Sequence, residues 1–462
     1  MNNFVFESKA KMVLGGFMAL GLLCLIATFF VDASPLAEEF HTRFWSNWLH
    51  NSVFFMGIAF MGAFVLCAFT LAYAGWYVVF KRIWEAFALN MLPALIMMLV
   101  VIAGIWLHWH HLYHWADADA ITVGSDTYDK VLDHKSSFLN PMWYTFGTII
   151  FVGFWYFIAR KYRQLSIRED NAGDNYYEEH KKTKFWAAVF LPVAGFSSAA
   201  LIWQWVMSVD AHWYSTLFAW YSTASWFVAA MAVTLLLLTY LKGKGYYTQV
   251  TGEHLHDLGK YLFAISIFWT YLWFSQYMLI WYGNVGEETV YFYQRYENYQ
   301  VIFYANLAIN FLVPFIILMR NDNKRKTGTL VFASIVVLFG HWLDFFLMIK
   351  PGTFLTAYEA AEHRGGHDDH HGDATGTHGA DHGNSAVEGH MEDAGLDFGF
   401  VDGFTAPGLL EIGVMLGFLA LFIFLVLRHL SAAPLVPEKD PYLGESLHHH
   451  VGYGGGHEVS HH

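Results

Sequence analysis

The sequence has only two cysteines among its 462 residues, Cys24 and Cys67, and both lie within apolar runs. It contains no CxxC or CxxCH motif and no Cys/His spacing typical of zinc, so we expect neither a covalent haem nor an iron–sulfur cluster in this chain. We interpret the two thiols as small buried side chains. No GxGxxG or P-loop motif occurs where a nucleotide site would need one.

Charged residues are also scarce. They make up 14% of the chain, whereas soluble domains carry about 25%. Hydrophobic residues reach 56% and aromatic residues 19%. A soluble domain could not bury that much apolar surface, so we expect lipid to solvate much of the chain. The formal net charge of -13 argues against a nucleic-acid binder.

Ten apolar segments are long enough to cross a bilayer, which takes about 20 residues of helix. We therefore predict an all-α integral membrane protein. The first segment follows Lys9 and Lys11 but is too long for the apolar region of a signal peptide, so we interpret it as a retained anchor. The predicted spans are residues 11–31, 52–74, 84–108, 139–159, 185–207, 218–241, 258–282, 300–319, 328–349 and 407–428.

The distribution of basic residues orients these spans. If the N-terminus is cytoplasmic, 20 of the 26 Lys and Arg residues fall in cytoplasmic segments. Both termini are then predicted to be cytoplasmic. The six basic residues predicted on the outer side are Arg43, Lys130, Lys135, Arg295, Lys350 and Arg364.

Two polar segments contain clusters of histidine. Residues 361–393, within the outer segment 350–406, consist mainly of Gly, Ala, Asp and seven His. This insertion either binds metal or is a polar, buffering segment, and its histidine spacing matches no defined metal site. The tail 429–462 carries further histidines and is assigned no function.

An ionisable residue within a membrane span is costly and marks a functional candidate. Asp344 is the clearest, five residues before the outer end of the predicted span 328–349, and His341 precedes it by three positions. Residues at i and i+3 share a helix face, so a His–Asp pair is predicted. Such a pair could relay protons or bond a quinol hydroxyl, and the alternative is a structural pair between helices.

Other polar residues lie toward the predicted outer half of the membrane. Gln276 is an example, although a span glutamine more often joins helices than binds a ligand. Only His341 lies deep in a span, so intramembrane haem is not expected, and no catalytic or metal-ligating residue is assigned. The candidates for a quinone or proton path are Asp344, His341, Asp210, His212, Gln276, Glu287 and Glu411.

Four motifs resemble one protein family. They are SVDAHWYST (208–216), HDLGK (256–260), FSQYMLIWYGNVGEE (274–288) and HWLDFFLMIKP (341–351). They are similar to the membrane subunits of bacterial alternative complex III, a quinol:cytochrome c oxidoreductase, which belong to the NrfD-like, polysulfide-reductase membrane-anchor family. Of the two large membrane subunits of that complex, the chain resembles the smaller, ActF-type subunit (quinone-binding subunit 2) more closely, and the resemblance covers nearly all ten spans. The chain departs from the pattern at Gly286, where the family usually has Pro.

The resemblance implies a heteromeric respiratory complex in the bacterial inner membrane, surrounded by lipids. Expected partners are a paralogous NrfD-like subunit, iron–sulfur and cytochrome c subunits and, in some complexes, a terminal oxidase. Quinone would bind this chain or its paralogue, and c-type haem and iron–sulfur clusters would sit in the partners. The chain would then divide into 1–51 (first helix and outer loop), 52–217 and 218–349 (two four-helix bundles), 350–406 (outer loop), 407–428 (tenth helix) and 429–462 (cytoplasmic tail).

Two other functions remain open. Ten spans and a hint of an internal repeat permit a secondary transporter. Transporters usually have Gly/Pro-broken helices at corresponding positions of their two halves. The interior prolines Pro93, Pro192 and Pro314 have no counterpart in the helix four places away, so the sequence shows no such paired breaks. A purely structural scaffold of the complex is the third reading.

Overall fold

The computed structural model describes residues 4–125, 127–365 and 399–450. Within these residues, ten helices are long and apolar enough to cross a membrane. The prediction of an all-α integral membrane protein with ten spans is therefore confirmed. We number the spans α1 (Ser8–Phe30), α2 (Thr42–Leu71), α3 (Val78–Trp106), α4 (Pro141–Asn171), α5 (Gly173–Val209), α6 (Thr216–Gly243), α7 (Gly252–Gly283), α8 (Gln300–Leu318), α9 (Thr327–Gly365) and α10 (Leu409–Leu430).

Most of the predicted His-rich insertion 361–393 lies outside the described residues. The two roles considered for it, metal binding and buffering, therefore stay predictions. The same holds for the end of the histidine-bearing tail, residues 451–462.

Several spans, α2 and α9 among them, are longer than their hydropathy predicts. α2 begins at Thr42 rather than at residue 52, since its polar first turns find partners inside the protein. α9 continues through Pro351. A proline lacks the N–H that would bond to the carbonyl four residues earlier, here that of Leu347. Arg295 Nε donates to this carbonyl instead, at 3.0 Å, so the helix can continue past the proline.

The spans form two groups around a shared interior. Helices α2–α5 contact one another, and so do α6–α9. We call α2–α5 the first bundle and α6–α9 the second bundle. α2 also contacts α6 and α9, and most of its surface is buried. The two bundles are therefore joined through α2.

The first and last spans pack against each other beside the bundles. A Cβ atom built on Gly21 of α1 would lie 2.9 Å from the backbone nitrogen of Gly417 of α10, so neither helix backbone leaves room for a larger side chain there. Close approach of small residues is a common basis of helix packing in membranes. α1 otherwise exposes most of its apolar surface.

The two ends of the helical body differ in chemistry. We call one the basic end, which carries residues 72–82, 160–184 and 431–450. We call the other the histidine end, which carries residues 107–140 and 210–215.

A buried ion-pair network occupies the basic end. Glu85 Oε2 accepts hydrogen bonds from Arg82 at 2.9 Å and from Arg163 at 2.8 Å, and its other oxygen accepts from Ser166 at 2.7 Å. Arg82 also donates to Asp170 at 2.6 Å. The charges of α3 and α4 are thus compensated within the protein, which offsets the cost of removing them from water.

The segment 431–450 crosses this end and is tied to both bundles. Asp440 pairs with Lys81 of α3. Ser446 donates to the carbonyl of Trp76 at 2.8 Å, and His449 bonds to Asp257 of α7 at 2.6 Å. Burial raises the pKa of the Asp440 carboxyl, but Lys81 outweighs it, so this pKa lies below its ordinary value. Asp440 therefore stays ionised at neutral pH.

Glu85→Gln should destabilise the protein by about 3–5 kcal/mol, the usual cost of removing one partner from a buried ion pair. The reason is that Arg163 and Arg82 would lose a shared counter-charge. Thermal unfolding of the purified protein in detergent measures the effect. Glu178→Gln is the matched control, because its pair with Lys181 is exposed, and we expect its unfolding temperature to equal that of the wild type. Equal unfolding temperatures for Glu85→Gln and the wild type would contradict the prediction.

Candidate functional site

Asp344 lies in the middle of α9, not near its end as the hydropathy suggested. The expectation placed it five residues from the outer end, but α9 runs from Thr327 through Pro351 to Gly365. Its side chain is fully buried. A carboxylate at this depth must be satisfied by the protein itself.

Three neighbouring helices satisfy Asp344. Its Oδ1 accepts hydrogen bonds from the Tyr221 hydroxyl of α6 and from Asn306 Nδ2 of α8, the latter at 2.9 Å. Its Oδ2 accepts from Trp269 Nε1 of α7, also at 2.9 Å. All four helices of the second bundle therefore meet at one carboxylate. An ionised carboxylate only accepts hydrogen bonds, and each of these three groups is able to donate.

Asn306 is held in place by a second amide one helical turn away. Asn310 Nδ2 donates to Asn306 Oδ1 at 2.7 Å, and both side chains are buried. Residues Ala308–Leu312 form a π-helical turn within α8. Such turns are rare and often occur at functional sites. Gly340 of α9 lies against Asn310, where a Cβ would lie 3.0 Å from its amide carbon.

His341 does not pair with Asp344. Its Nδ1 bonds to Ser225 Oγ at 2.9 Å, and its Nε2 has no hydrogen-bond partner within the described residues. The ring lies edge-on to Trp269, with 5.3 Å between centroids. The i, i+3 spacing placed both residues in the same bundle core, where Ser225 of α6 interacts with both side chains. The predicted direct pair is therefore wrong, and Ser225 links the two residues instead.

A small cavity adjoins the Asp344 cluster. Its volume is about 20 Å³, and its lining includes Tyr221, Asn306, Gln276, Tyr291 and Arg295. Gln276 is buried and its Oε1 has no partner within the described residues. A cavity needs about 10–15 Å³ to hold one water molecule. This space accordingly fits a water molecule and is far too small for a quinone ring.

Arg295 closes the cavity toward the histidine end. It donates to Asp210 Oδ2 at 2.8 Å and to the carbonyls of Leu347 and Tyr291 at 3.0 Å each. Its guanidinium lies 3.4 Å from the centroid of the Tyr291 ring. Burial lowers the pKa of Arg295, but Asp210 and Tyr291 outweigh it, so the pKa lies above its ordinary value. Arg295 is therefore a permanent cation between the cavity and Asp210.

Glu411 belongs to a different cluster. Arg43 of α2 donates to both of its carboxylate oxygens, at 2.9 and 3.0 Å, and Asn47 donates at 3.0 Å. Arg43 also pairs with Asp402 at 2.8 Å. Within the described residues, these contacts join α2 to the start of α10 and are separate from the Asp344 cluster.

The two other sequence candidates also lie apart from Asp344. His212 pairs with Asp129 in the loop that precedes α4. Glu287 is exposed on the short helix Gly286–Asn298. Among the candidates, Gln276 and Asp210 are thus linked to Asp344 through the cavity and Arg295, and His341 is linked to it through Ser225.

Several residues of this site escaped the sequence analysis. Tyr221, Trp269 and Asn306 are uncharged, and such residues are common in membrane spans. Asn306 and Asn310 had a detectable signal, because two amides at i and i+4 in one apolar span share a face. The sequence analysis assigned Arg295 to an outer loop, and its hydrogen bond to the Leu347 carbonyl depends on tertiary packing.

Comparison with protein-family models and with curated proteins gives no match for this chain. The family resemblance therefore stays a prediction, and the function must be argued from the site and the motifs.

His110 at the histidine end is buried in its neutral form. Its Nε2 lies 3.1 Å from the carbonyl of Val101, and its Nδ1 accepts from the backbone N–H of Leu112 at 3.5 Å. Burial lowers its pKa from 6.5 to about 4, although the bond to Val101 opposes this shift. A second proton would have to point at the Leu112 N–H, so protonation disrupts the arrangement.

Because the unfolded chain binds a proton near pH 6.5 and the folded ring only near pH 4, the protein should lose stability as the pH falls through this window. We expect the unfolding temperature of His110→Gln to fall less between pH 7 and pH 5 than that of the wild type. His134→Gln is the control, since His134 is exposed in the same loop, and its pH dependence should match the wild type. A wild-type pH dependence in His110→Gln would refute the assignment.

Trp269→Phe removes the indole N–H that bonds Asp344 and keeps most of the ring. We expect a loss of about 1.5–3 kcal/mol in the free energy of unfolding, as for a hydrogen bond to a charged group. Denaturant titration in detergent micelles measures it. Trp281→Phe, at an exposed position on the same helix, should leave the value unchanged. If the two variants are equally stable, Trp269 does not support Asp344.

Proposed function

We propose that this chain is an integral membrane subunit of a respiratory quinol:cytochrome c, or quinol:oxidase, oxidoreductase complex, and that Asp344 carries protons in it. The observation that supports the proton role is a buried carboxylate beside a water-sized cavity. The four motifs that resemble alternative complex III subunits support the place in the complex.

Of the two roles considered for Asp344, the size of the cavity supports the proton role. At about 20 Å³ it admits a water molecule but no quinol ring. In our proposal quinol is therefore oxidised away from Asp344, at a site in the paralogous subunit or between subunits. Electrons would pass through iron–sulfur and c-type haem centres of the partners. The same small volume disfavours solute transport through this point.

The hydrogen bonds of Asp344 suggest how it takes up a proton. Oδ1 faces Tyr221 and Asn306, and Oδ2 faces Trp269. The indole and amide N–H groups can only donate, whereas the Tyr221 hydroxyl can also accept. A proton on Oδ1 can therefore be accommodated when the Tyr221 hydroxyl rotates from donor to acceptor. Tyr221 also lines the cavity, so a water there would be the proton's next partner.

Arg295 and Asp210 extend this route toward the histidine end. Asp210 is the next carboxylate beyond Arg295 on the way from the cavity to the histidine end, and its Oδ2 lies 2.8 Å from Arg295 Nη2. The fixed positive charge of Arg295 lies between the cavity and Asp210. We infer that protons move between Asp344 and the histidine end past this pair.

The positive-inside rule orients this route. With the basic end in the bacterial cytoplasm, both termini are cytoplasmic and the histidine end is on the outer side of the inner membrane. Asp210 then faces the compartment into which quinol oxidation releases protons.

Asp344→Asn in the intact complex tests the proton role. Asparagine keeps the size of the side chain but cannot be ionised, so quinol oxidation or its coupled proton release should fall on the order of a hundredfold. Asp322→Asn, at an exposed aspartate of the basic end, is the matched control and should behave as wild type. Wild-type turnover together with wild-type proton release in Asp344→Asn would exclude the proton role.

Purification from native membranes tests the place in the complex independently. We expect subunits with c-type haem and iron–sulfur clusters to co-purify with the chain in fixed stoichiometry. Isolation of the chain without any redox subunit would refute the complex and favour a transporter or another membrane function.

A further inference from the structure

A cleft at the histidine end takes no part in the Asp344 route. Its volume is about 650 Å³, and it lies between the loop after α3, the loop before α2 and the final turns of α9. Polar groups line much of it. Those with ligand chemistry are Glu39, His108, His110, His111, His114, Asp117, Asp119 and Glu359.

Three histidines and a glutamate converge on one side of this cleft. The His114 ring lies 6.4 Å from that of His111 and 5.9 Å from that of His212, measured between centroids. Its Nδ1 is 3.8 Å from Glu359 Oε2. These side chains come from three parts of the chain: the loop after α3, the loop after α5 and the last turns of α9. His114 lies at the centre of the group.

A carboxylate bonds to one ring nitrogen of His212 and so orients this histidine. Asp129 pairs with Nε2 of His212. Asp129 is itself fixed, because its Oδ1 accepts from the backbone N–H groups of Val131 at 2.7 Å and Leu132 at 3.2 Å and caps the helix Lys130–Lys135. A histidine bound to a carboxylate through its second nitrogen is the usual arrangement around a metal-ligating imidazole.

We propose that this cleft binds one divalent first-row transition-metal ion, with Zn²⁺ as the test ion, through His114 together with His111, His212 and Glu359. Imidazole and carboxylate ligands suit Zn²⁺. Zinc holds histidine nitrogens at about 2.0–2.1 Å, so the rings close inward around the ion by side-chain rotation. Through these ligands the bound ion joins the loops after α3 and α5 to the end of α9.

A rival cluster at the basic end carries no such proposal. Glu169, His180 and Asp440 bring their ligand atoms within 4.8 Å of one another. However, the ammonium group of Lys81 pairs with Asp440 and lies 3.7 Å from Glu169. This lysine already supplies the positive charge that a metal ion would bring.

The test counts Zn²⁺ ions bound to the full-length protein in detergent after removal of metal by a chelator. Any zinc held by the histidines of 361–393 and 448–462 is the same in every variant, so the measured quantity is the difference between variants. We expect His114→Ala to bind one ion fewer than the wild type. His134→Ala, at an exposed histidine of the same loop, should bind the wild-type number.

A second variant leaves the ligands in place. Asp129→Asn keeps a capping oxygen for the helix Lys130–Lys135 but removes the charge behind His212. It should raise the dissociation constant of this one site by about 10- to 100-fold, the usual effect of losing such a partner.

Zn²⁺ should also raise the unfolding temperature of the wild type and of His134→Ala, but not that of His114→Ala. Equal ion counts for His114→Ala and the wild type overturn the proposal. So does the loss of an ion in both His114→Ala and His134→Ala, since binding would then belong to the loop histidines in general.

Discussion

A carboxylate in the interior of a membrane protein has no water to solvate it, so the surrounding helices must do so. In this protein α6, α7 and α8 each contribute one donor to Asp344 of α9. The positions of these helices relative to one another are thus constrained by a single side chain. The packing of the second bundle and its proposed proton chemistry depend on the same hydrogen bonds.

The proposed proton path from this carboxylate to the histidine end depends on a proline. Pro351 leaves the carbonyl of Leu347 without its helical donor, and Arg295 takes that place. The same guanidinium pairs with Asp210 and lies against Tyr291. A break in the backbone hydrogen bonding of α9 thereby positions a cation between the buried cavity and the surface.

The two ends of the protein use their polar residues differently. At the basic end, Glu85, Arg82 and Arg163 neutralise one another, and the segment 431–450 is tied across both bundles. Such an end favours one fixed arrangement of helices. At the histidine end a cleft of about 650 Å³ is lined by imidazoles and carboxylates. That chemistry suits exchange of ions with the surroundings.

The ten spans and the position of Asp344 within one of them could be predicted from the sequence, because apolar length and ionisable residues are properties of the chain itself. The partners of Asp344 could not. His341 lies on the same helix face as Asp344 but bonds to Ser225. The predicted span 328–349 stopped before Pro351, where Arg295 replaces the missing helical donor. Which donor reaches which acceptor depends on how distant helices pack, so the tertiary structure alone decided the cavity, the cation beside it and the separation of Glu411 and His212 from the site.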